Sequence, residues 1–203
     1  MSAGLTAGVV RSDNEAKYRS RNPIVRHLVG RFLTHVATAV ERARPRRVLE
    51  VGCGEGVVLE YLAGRNPATR FDGFELDATA LAGARTRCPR AALVRGDVYA
   101  LPVPDQTYDL VLCLEVLEHL ADPARALREI RRVARRGLLL SVPHEPFFRL
   151  GNALRGRHLG RLGNPEDHLQ HWSARGFAAF CAEHVTVESC TSAFPWLLVY
   201  GIR

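Results

Sequence analysis

Seven residues, Glu50-Val51-Gly52-Cys53-Gly54-Glu55-Gly56, constrain this chain more than any other stretch. They follow a short apolar run, Arg47–Val51, and precede a helical pattern over 57–62. Glycines at alternate positions let a backbone turn tightly from strand to helix, and let a ligand approach without meeting a side chain. The helix beyond them offers unpaired N–H groups and the positive end of its dipole, suited to a carboxylate or phosphate. The spacing is G-x-G-x-G, not the G-x-G-x-x-G of dinucleotide binders, and Glu50 stands two residues before the first glycine. A carboxylate there repels pyrophosphate and attracts an ammonium group. A ligand with both an amine and a carboxylate therefore fits better than a dinucleotide.

The rest of the chain keeps the same strand–helix rhythm. Asn22-Pro23 opens a helix in which Ile24, Leu28, Phe32, Val36 and Val40 recur at spacing four, and Pro45 closes it. Strands are expected at 71–76, 92–94, 108–114 and 137–142, with helices at 79–87 and 122–136, the second capped by Gly137. A last helix spans 173–183. The strands expected at 185–192 and 197–202 have no crossover helix between them, so they pair antiparallel at one sheet edge. Short apolar strands separated by helices describe an α/β, doubly wound, Rossmann-like fold. Its seven-stranded sheet is mostly parallel with an antiparallel edge strand, and helices cover both faces. At 203 residues a single domain over 1–203 is expected. It carries an N-terminal arm and helix over 1–45 and a lid insertion at about 144–172.

No apolar run approaches the roughly 20 residues of a membrane span, and the first 14 residues lack the regions of a secretory leader. The five cysteines (Cys53, Cys88, Cys113, Cys181 and Cys190) are scattered and form no C-x-x-C pair. That usage suits a reducing compartment, so a cytoplasmic location is expected. The formal charge of +7 is carried almost wholly by arginine, and Lys17 is the only lysine. The pairs Arg131–Arg132 and Arg135–Arg136 follow a helical apolar pattern and are expected on a solvated helix face. Charge alone therefore does not point to a nucleic acid.

Further motifs follow the glycine loop in order. Phe71-Asp72-Gly73-Phe74-Glu75 closes the second strand, and Gly96-Asp97-Val98 follows the third. Tyr108-Asp109-Leu110-Val111 opens the fourth, and Glu115-Val116-Leu117-Glu118-His119 comes after it. Together with the loop they resemble the class I S-adenosylmethionine-dependent methyltransferases of small-molecule type, over nearly the whole chain. The last segment is similar to one in ubiquinone-biosynthesis O-methyltransferases. The resemblance implies S-adenosyl-L-methionine as cofactor, with Glu50, Gly52, Cys53 and Gly54 at its methionine half. It implies Glu75 and Leu76 at the ribose, Asp97 and Val98 at the adenine, and Leu114 and Glu115 beside the methyl group. Tyr18, before the first helix, is expected to close over the cofactor. Asp109 is expected to support the fold.

In such a reaction the methyl carbon is already electrophilic. The protein aligns the nucleophile, excludes water and, for a hydroxyl, removes a proton. The N/D-P-P-Y/F run of amine-directed DNA methyltransferases is replaced by Leu114-Glu115-Val116-Leu117, and the Pro-Cys pair of cytosine-5 chemistry is missing. A small-molecule acceptor is expected, and a nucleic acid is not. The insertion supplies three candidate bases: His168 first, His171 second, His144 third. Glu115, Glu118 and His119 stand at i, i+3 and i+4, where one helical face could present them to an ion. The similar segment of ubiquinone-biosynthesis O-methyltransferases leaves room for a divalent ion, but the motif is also common in relatives that need no metal, and none is expected. Phe147, Phe148, Leu150, Leu154, Leu159 and Leu162 alternate with Arg149, Arg155, Arg157 and Arg161, as in a lid over a greasy substrate or a patch touching lipid. O-methylation in secondary or quinone-type metabolism is the leading reading. The alternatives are N- or C-methylation of a small molecule, or a non-catalytic cofactor-binding partner subunit.

Overall fold

Asn22 sets the start of helix α1 (Pro23–Ala43): its Oδ1 accepts the N–H of Ile24 at 2.9 Å and that of Val25 at 3.4 Å. Pro23 sits where a missing N–H breaks no helical bond. The helix buries Val29, Phe32, Val36, Ala37 and Val40, while Ile24 is 68% exposed. A spacing of four overshoots a 3.6-residue turn by about 40° per step. A stripe begun at Ile24 therefore rotates off the core face, and Val25 and Val29 pack in its place. The computed structural model of the protein describes residues 17–145 and 168–203. The start of the arm and the Phe147–Leu162 stretch, with its lipid-facing reading, lie outside them.

Seven strands form one sheet in the order β3-β2-β1-β4-β5-β7-β6. They are β1 (Arg47–Val51), β2 (Arg70–Glu75), β3 (Leu93–Arg95), β4 (Tyr108–Leu114), β5 (Ala134–Pro143), β6 (Thr186–Ala193) and β7 (Trp196–Ile202). Strands β1 to β5 are parallel, and the β6–β7 hairpin joins antiparallel through β7 at one edge. Helices α2 (Val57–Arg65) and α3 (Ala78–Arg87) join α1 on one face, where Phe32, Leu59, Leu62 and Leu81 are buried. Helices α4 (Pro123–Val133) and α5 (Ala174–Ala182) cover the other with Leu127, Ile130, Phe177 and Cys181. Each such buried Leu or Phe contributes about 2 kcal/mol of transfer free energy. The chain winds outward from β1 to β3 and then returns to place β4 on β1's other side. The C-terminal ends of β1 and β4 thus flank a crevice at the switch point of the sheet. Among the described residues, no helix is long and apolar enough to cross a membrane.

Two carboxylates tie the opposite end of the sheet. Asp72, 1% exposed, meets Arg47 at 3.0 Å, Arg70 at 3.1 Å and the Ala92 N–H at 3.1 Å. Asp109 Oδ2 accepts the N–H groups of Arg46 and Arg47 at 2.8 and 3.1 Å, and its Oδ1 pairs with Arg135 at 2.8 Å. These contacts also correct the expected helix over 122–136. It ends at Val133, because Arg135 is drawn to Asp109 and Arg136 donates to the Ala43 carbonyl at 2.6 Å, which extends residues 134–136 as strand. Gly137 is therefore no helix cap. It lies within β5, where a Cβ would stand 2.8 Å from Tyr200 Oη. Arg132 also leaves the expected solvated face: it binds Glu129, Asp105 and the carbonyls of Leu101 and Val103, pinning the loop before β4.

Candidate active site

The glycine loop folds back on β2. Gly52, Gly54 and Gly56 take φ of 74°, 52° and 78°, a region open to glycine and strained for other residues. The N–H groups of Gly52 and Cys53 both donate to the Phe74 carbonyl, at 2.8 and 3.0 Å, and that of Gly54 donates to Glu75 Oε2 at 2.8 Å. A Cβ on Gly52 would collide with the Val116 side chain, so this glycine lets the segment after β4 close on the loop. Cys53 serves the loop's fold: its thiol lies beneath the loop against Gly73, its N–H is engaged, and burial pushes the thiol well up. It is no nucleophile. Gly56 caps helix α2 without a side-chain hydrogen bond, so its first-turn N–H groups have no side-chain partner from the cap.

Glu50, at the end of β1, is 3% exposed, and its Oε2 has no hydrogen-bond partner among the described residues. Burial, and then the charge of Glu75, push its carboxyl up to about 8, against the pull of Lys17. An orphaned carboxylate oxygen beside a glycine cradle fits a ligand that brings its own cation.

At the end of β2, Glu75 Oε1 accepts the Asp77 N–H at 2.8 Å, so both carboxylate oxygens already hold backbone. Leu76, half-exposed, follows it. The Gly96 N–H donates to the Glu75 carbonyl at 3.1 Å, which sets Asp97 and Val98 alongside. Asp97 Oδ1 accepts the Tyr99 N–H at 2.9 Å and shapes the turn through Ala100.

Beyond β4, Leu114 is buried and Glu115 adopts a φ of 58°. Its Oε1 lies 3.2 Å from Ser141 Oγ, and its Oε2 lies 3.9 Å from Lys17 Nζ. Burial raises its carboxyl, while Lys17, Trp196 and Ser141 favour the ionised form. Tyr18 stands in the same group, its hydroxyl raised by burial. The shared helical face expected for Glu115, Glu118 and His119 does not form. Only Leu117–His119 make a 3-10 turn, and the left-handed Glu115 before it turns to Ser141 instead.

The three candidate histidines separate. The Leu169 and Gln170 N–H groups both donate to the Glu118 carbonyl, at 2.8 and 3.0 Å. That docking brings the His168 ring edge-on to His119, with centroids 5.0 Å apart, while Glu118 Oε1 is 4.0 Å from His119 Nε2. His171 is exposed, and His144 bridges Trp172 and donates its N–H to the Pro195 carbonyl at 2.9 Å. Among the described residues, Glu118, His119 and His168 are the only group with metal-ligand chemistry at close range, their donor atoms lying within 4.8 Å of one another. Lys17 and Trp196 carry no motif and were not foreseen as site residues. The one signal for Lys17 is that it is the only lysine in the chain.

Residues 49–142 match the family described as "Methyltransferase domain". A stretch of 112 residues is 38% identical to a probable S-adenosylmethionine-dependent methyltransferase of Mycobacterium tuberculosis, covering 54% of this chain and 40% of the relative. Another, of 98 residues, is 34% identical to the ubiquinone biosynthesis O-methyltransferase of Aeromonas salmonicida, covering 45% and 40%. The chain spans about two fifths of the length of the curated relatives it matches. The fold resembles magnesium protoporphyrin IX methyltransferase from Synechocystis with bound SAH, with a TM-score of 0.71 and 16% identity over 95% of each chain. Residues 49–142 thus carry a methyltransferase domain similar to those of S-adenosylmethionine-dependent methyltransferases, which points to S-adenosylmethionine as the cofactor.

Proposed function

We propose that this protein methylates a hydroxyl group of a small molecule, with His168 removing the proton. The observation that carries the reading is the docking of His168 on the turn after β4, beside His119 and the buried Glu118. When bound, S-adenosylmethionine supplies a methyl carbon activated by a positive sulfur. Glu50 would hold its ammonium group, Glu75 its ribose hydroxyls, and Leu76, Asp97 and Val98 its adenine. Gly52 and Gly54 admit its methionine end, Tyr18 covers it, and Leu114 and Glu115 border the methyl group. His168 would meet a hydroxyl presented beside the turn after β4. Its proton passes to the imidazole as the oxygen gains the methyl group. Two relatives named for O-methylation support oxygen as the acceptor atom, one in ubiquinone biosynthesis and one acting on malonyl-[acyl-carrier protein].

Incubation with methyl-labelled S-adenosylmethionine, catechol and a matched aromatic amine tests the reading. Label is expected in the aryl ether. Label confined to the amine would move the chemistry to nitrogen, and His168 would then be a spectator.

The Glu50 carboxyl adds a pH dependence. An ammonium ligand pairs with the ionised form, so below about pH 8 binding must first expel the Glu50 proton. Affinity for S-adenosylhomocysteine is expected to fall as pH drops through 8, approaching about tenfold per unit at its steepest. In Glu50→Gln this slope should vanish. Calorimetry in buffers of different ionisation heat counts the released proton directly.

A further inference from the structure

A second cavity, of about 290 Å³, opens between the C-terminal half of α1 and the β6–β7 hairpin. Its floor is apolar, made by the buried Leu139 and Leu198 together with Ala39. Thr38, Ser189, Thr191 and Tyr200 surround that floor, and their hydroxyls make no hydrogen bond among the described residues. Thr34 differs, since its Oγ1 donates to the Gly30 carbonyl at 2.9 Å. His35 Nδ1 lies 2.8 Å from the Arg31 carbonyl, which can only accept. The ring proton therefore sits on Nδ1, and Nε2 offers a lone pair. Arg42, in the last turn of α1, is the one arginine of the lining and forms no ion pair among the described residues. No acid lines the cavity. Glu41 is turned to Arg65 at 3.4 Å, and Glu188 is the extra residue where the β6–β7 register shifts, outside the lining.

Each part of this lining matches one part of a ligand. Hydroxyls that both donate and accept suit the hydroxyls of a sugar, and an aliphatic floor suits the C–H face of its ring. An arginine with no acid beside it suits an anionic substituent. We propose that this cavity binds an anionic monosaccharide, with its ring against Leu139 and Leu198 and its phosphate or carboxylate on Arg42. The site is separate from the methyl-transfer crevice. Alternate residues of β7 share a face, and Tyr200 and Leu198 line the cavity from it. Trp196, next on that face, packs on Phe32 with ring centroids 5.0 Å apart, level with Pro143 where β5 ends. That aromatic pair stands between the cavity and the end of the sheet that carries the crevice.

Titration of the isotope-labelled full chain with glucose 6-phosphate and with glucuronate, followed by amide NMR, tests the proposal and tells the two anions apart. At least one is expected to bind with a Kd of about 1 mM or tighter and to shift signals of residues 34–42 and 189–200. Glucose and inorganic phosphate each carry half of the recognised chemistry and should bind at least about tenfold more weakly. Arg42→Met should weaken the better anion about tenfold and leave glucose unchanged, the loss of one charge-assisted contact. Arg42→Lys should keep most of the affinity, and Tyr200→Phe should lose about threefold. No shift with either sugar anion at about 10 mM overturns the proposal. Equal binding of inorganic phosphate also overturns it, because Arg42 would then hold any anion. So does loss of the sugar anion when S-adenosylhomocysteine is in excess, which would move it into the crevice.

Discussion

Glu75→Ala is expected to weaken S-adenosylhomocysteine at least about 100-fold. The carboxylate has two duties. Oε2 holds the Gly54 N–H and Oε1 the Asp77 N–H, each at 2.8 Å, so the residue clips the glycine loop and the start of α3 to the end of β2. A ribose bound at the end of β2 would present two hydroxyls to its remaining lone pairs. Two charge-assisted hydrogen bonds to a ligand, at about 1.5 kcal/mol each, already amount to about 100-fold, and the loosened loop adds to that. Glutamine should rescue little. With both oxygens already accepting N–H groups, the amide must turn its own NH2 toward one of those donors. Because 5′-methylthioadenosine, which lacks the amino-acid end, contains the ribose, Glu75→Ala should weaken both it and S-adenosylhomocysteine. Titration of the two ligands into Glu75→Ala and the wild type checks this. Binding of S-adenosylhomocysteine to Glu75→Ala within threefold of the wild type would remove the ribose assignment.

The parts of the site legible in the sequence are those set by local order. A strand, alternating glycines and a helix can be read at 50–56 because the turn involves consecutive residues, and Glu75 and Asp97 follow at the ends of their own strands. Where a distant contact decides, periodicity fails. The end of α4 could not be read, because Arg135 reaches Asp109 and Arg136 reaches Ala43 across the chain. Arg132 looked like solvated charge, yet it closes a loop through carbonyls that no pattern reveals. The face expected for Glu115, Glu118 and His119 assumed a helix where the chain takes a left-handed step and one tight turn. Lys17 meets Trp196 only because β7 begins, just after the hairpin turn, beside the segment before α1, a juxtaposition 179 positions apart along the chain.

His168→Ala is expected to lower kcat by about 100- to 1000-fold, the range of a lost general base, while leaving S-adenosylhomocysteine affinity unchanged. The separation follows from position. The Leu169 and Gln170 N–H groups hold residues 168–170 against the turn after β4, whereas Glu50, Glu75, Asp97 and Val98, the proposed contacts of the cofactor's ammonium and nucleoside, sit at the ends of β1 and β2 and after β3. Replacing exposed His171, or His144 with its backbone anchored to Pro195, should change kcat by no more than about threefold. Acceptor acidity distinguishes a base from a positioning role. A more acidic phenol, needing less help to ionise, should lose less than a weakly acidic one. If Glu118, His119 and His168 instead gripped an ion, a chelator would abolish wild-type turnover and His119→Ala would match His168→Ala. A proton-transfer role for His168 predicts full turnover in chelator and a His119→Ala loss of only about tenfold, since His119 touches the base edge-on without replacing it.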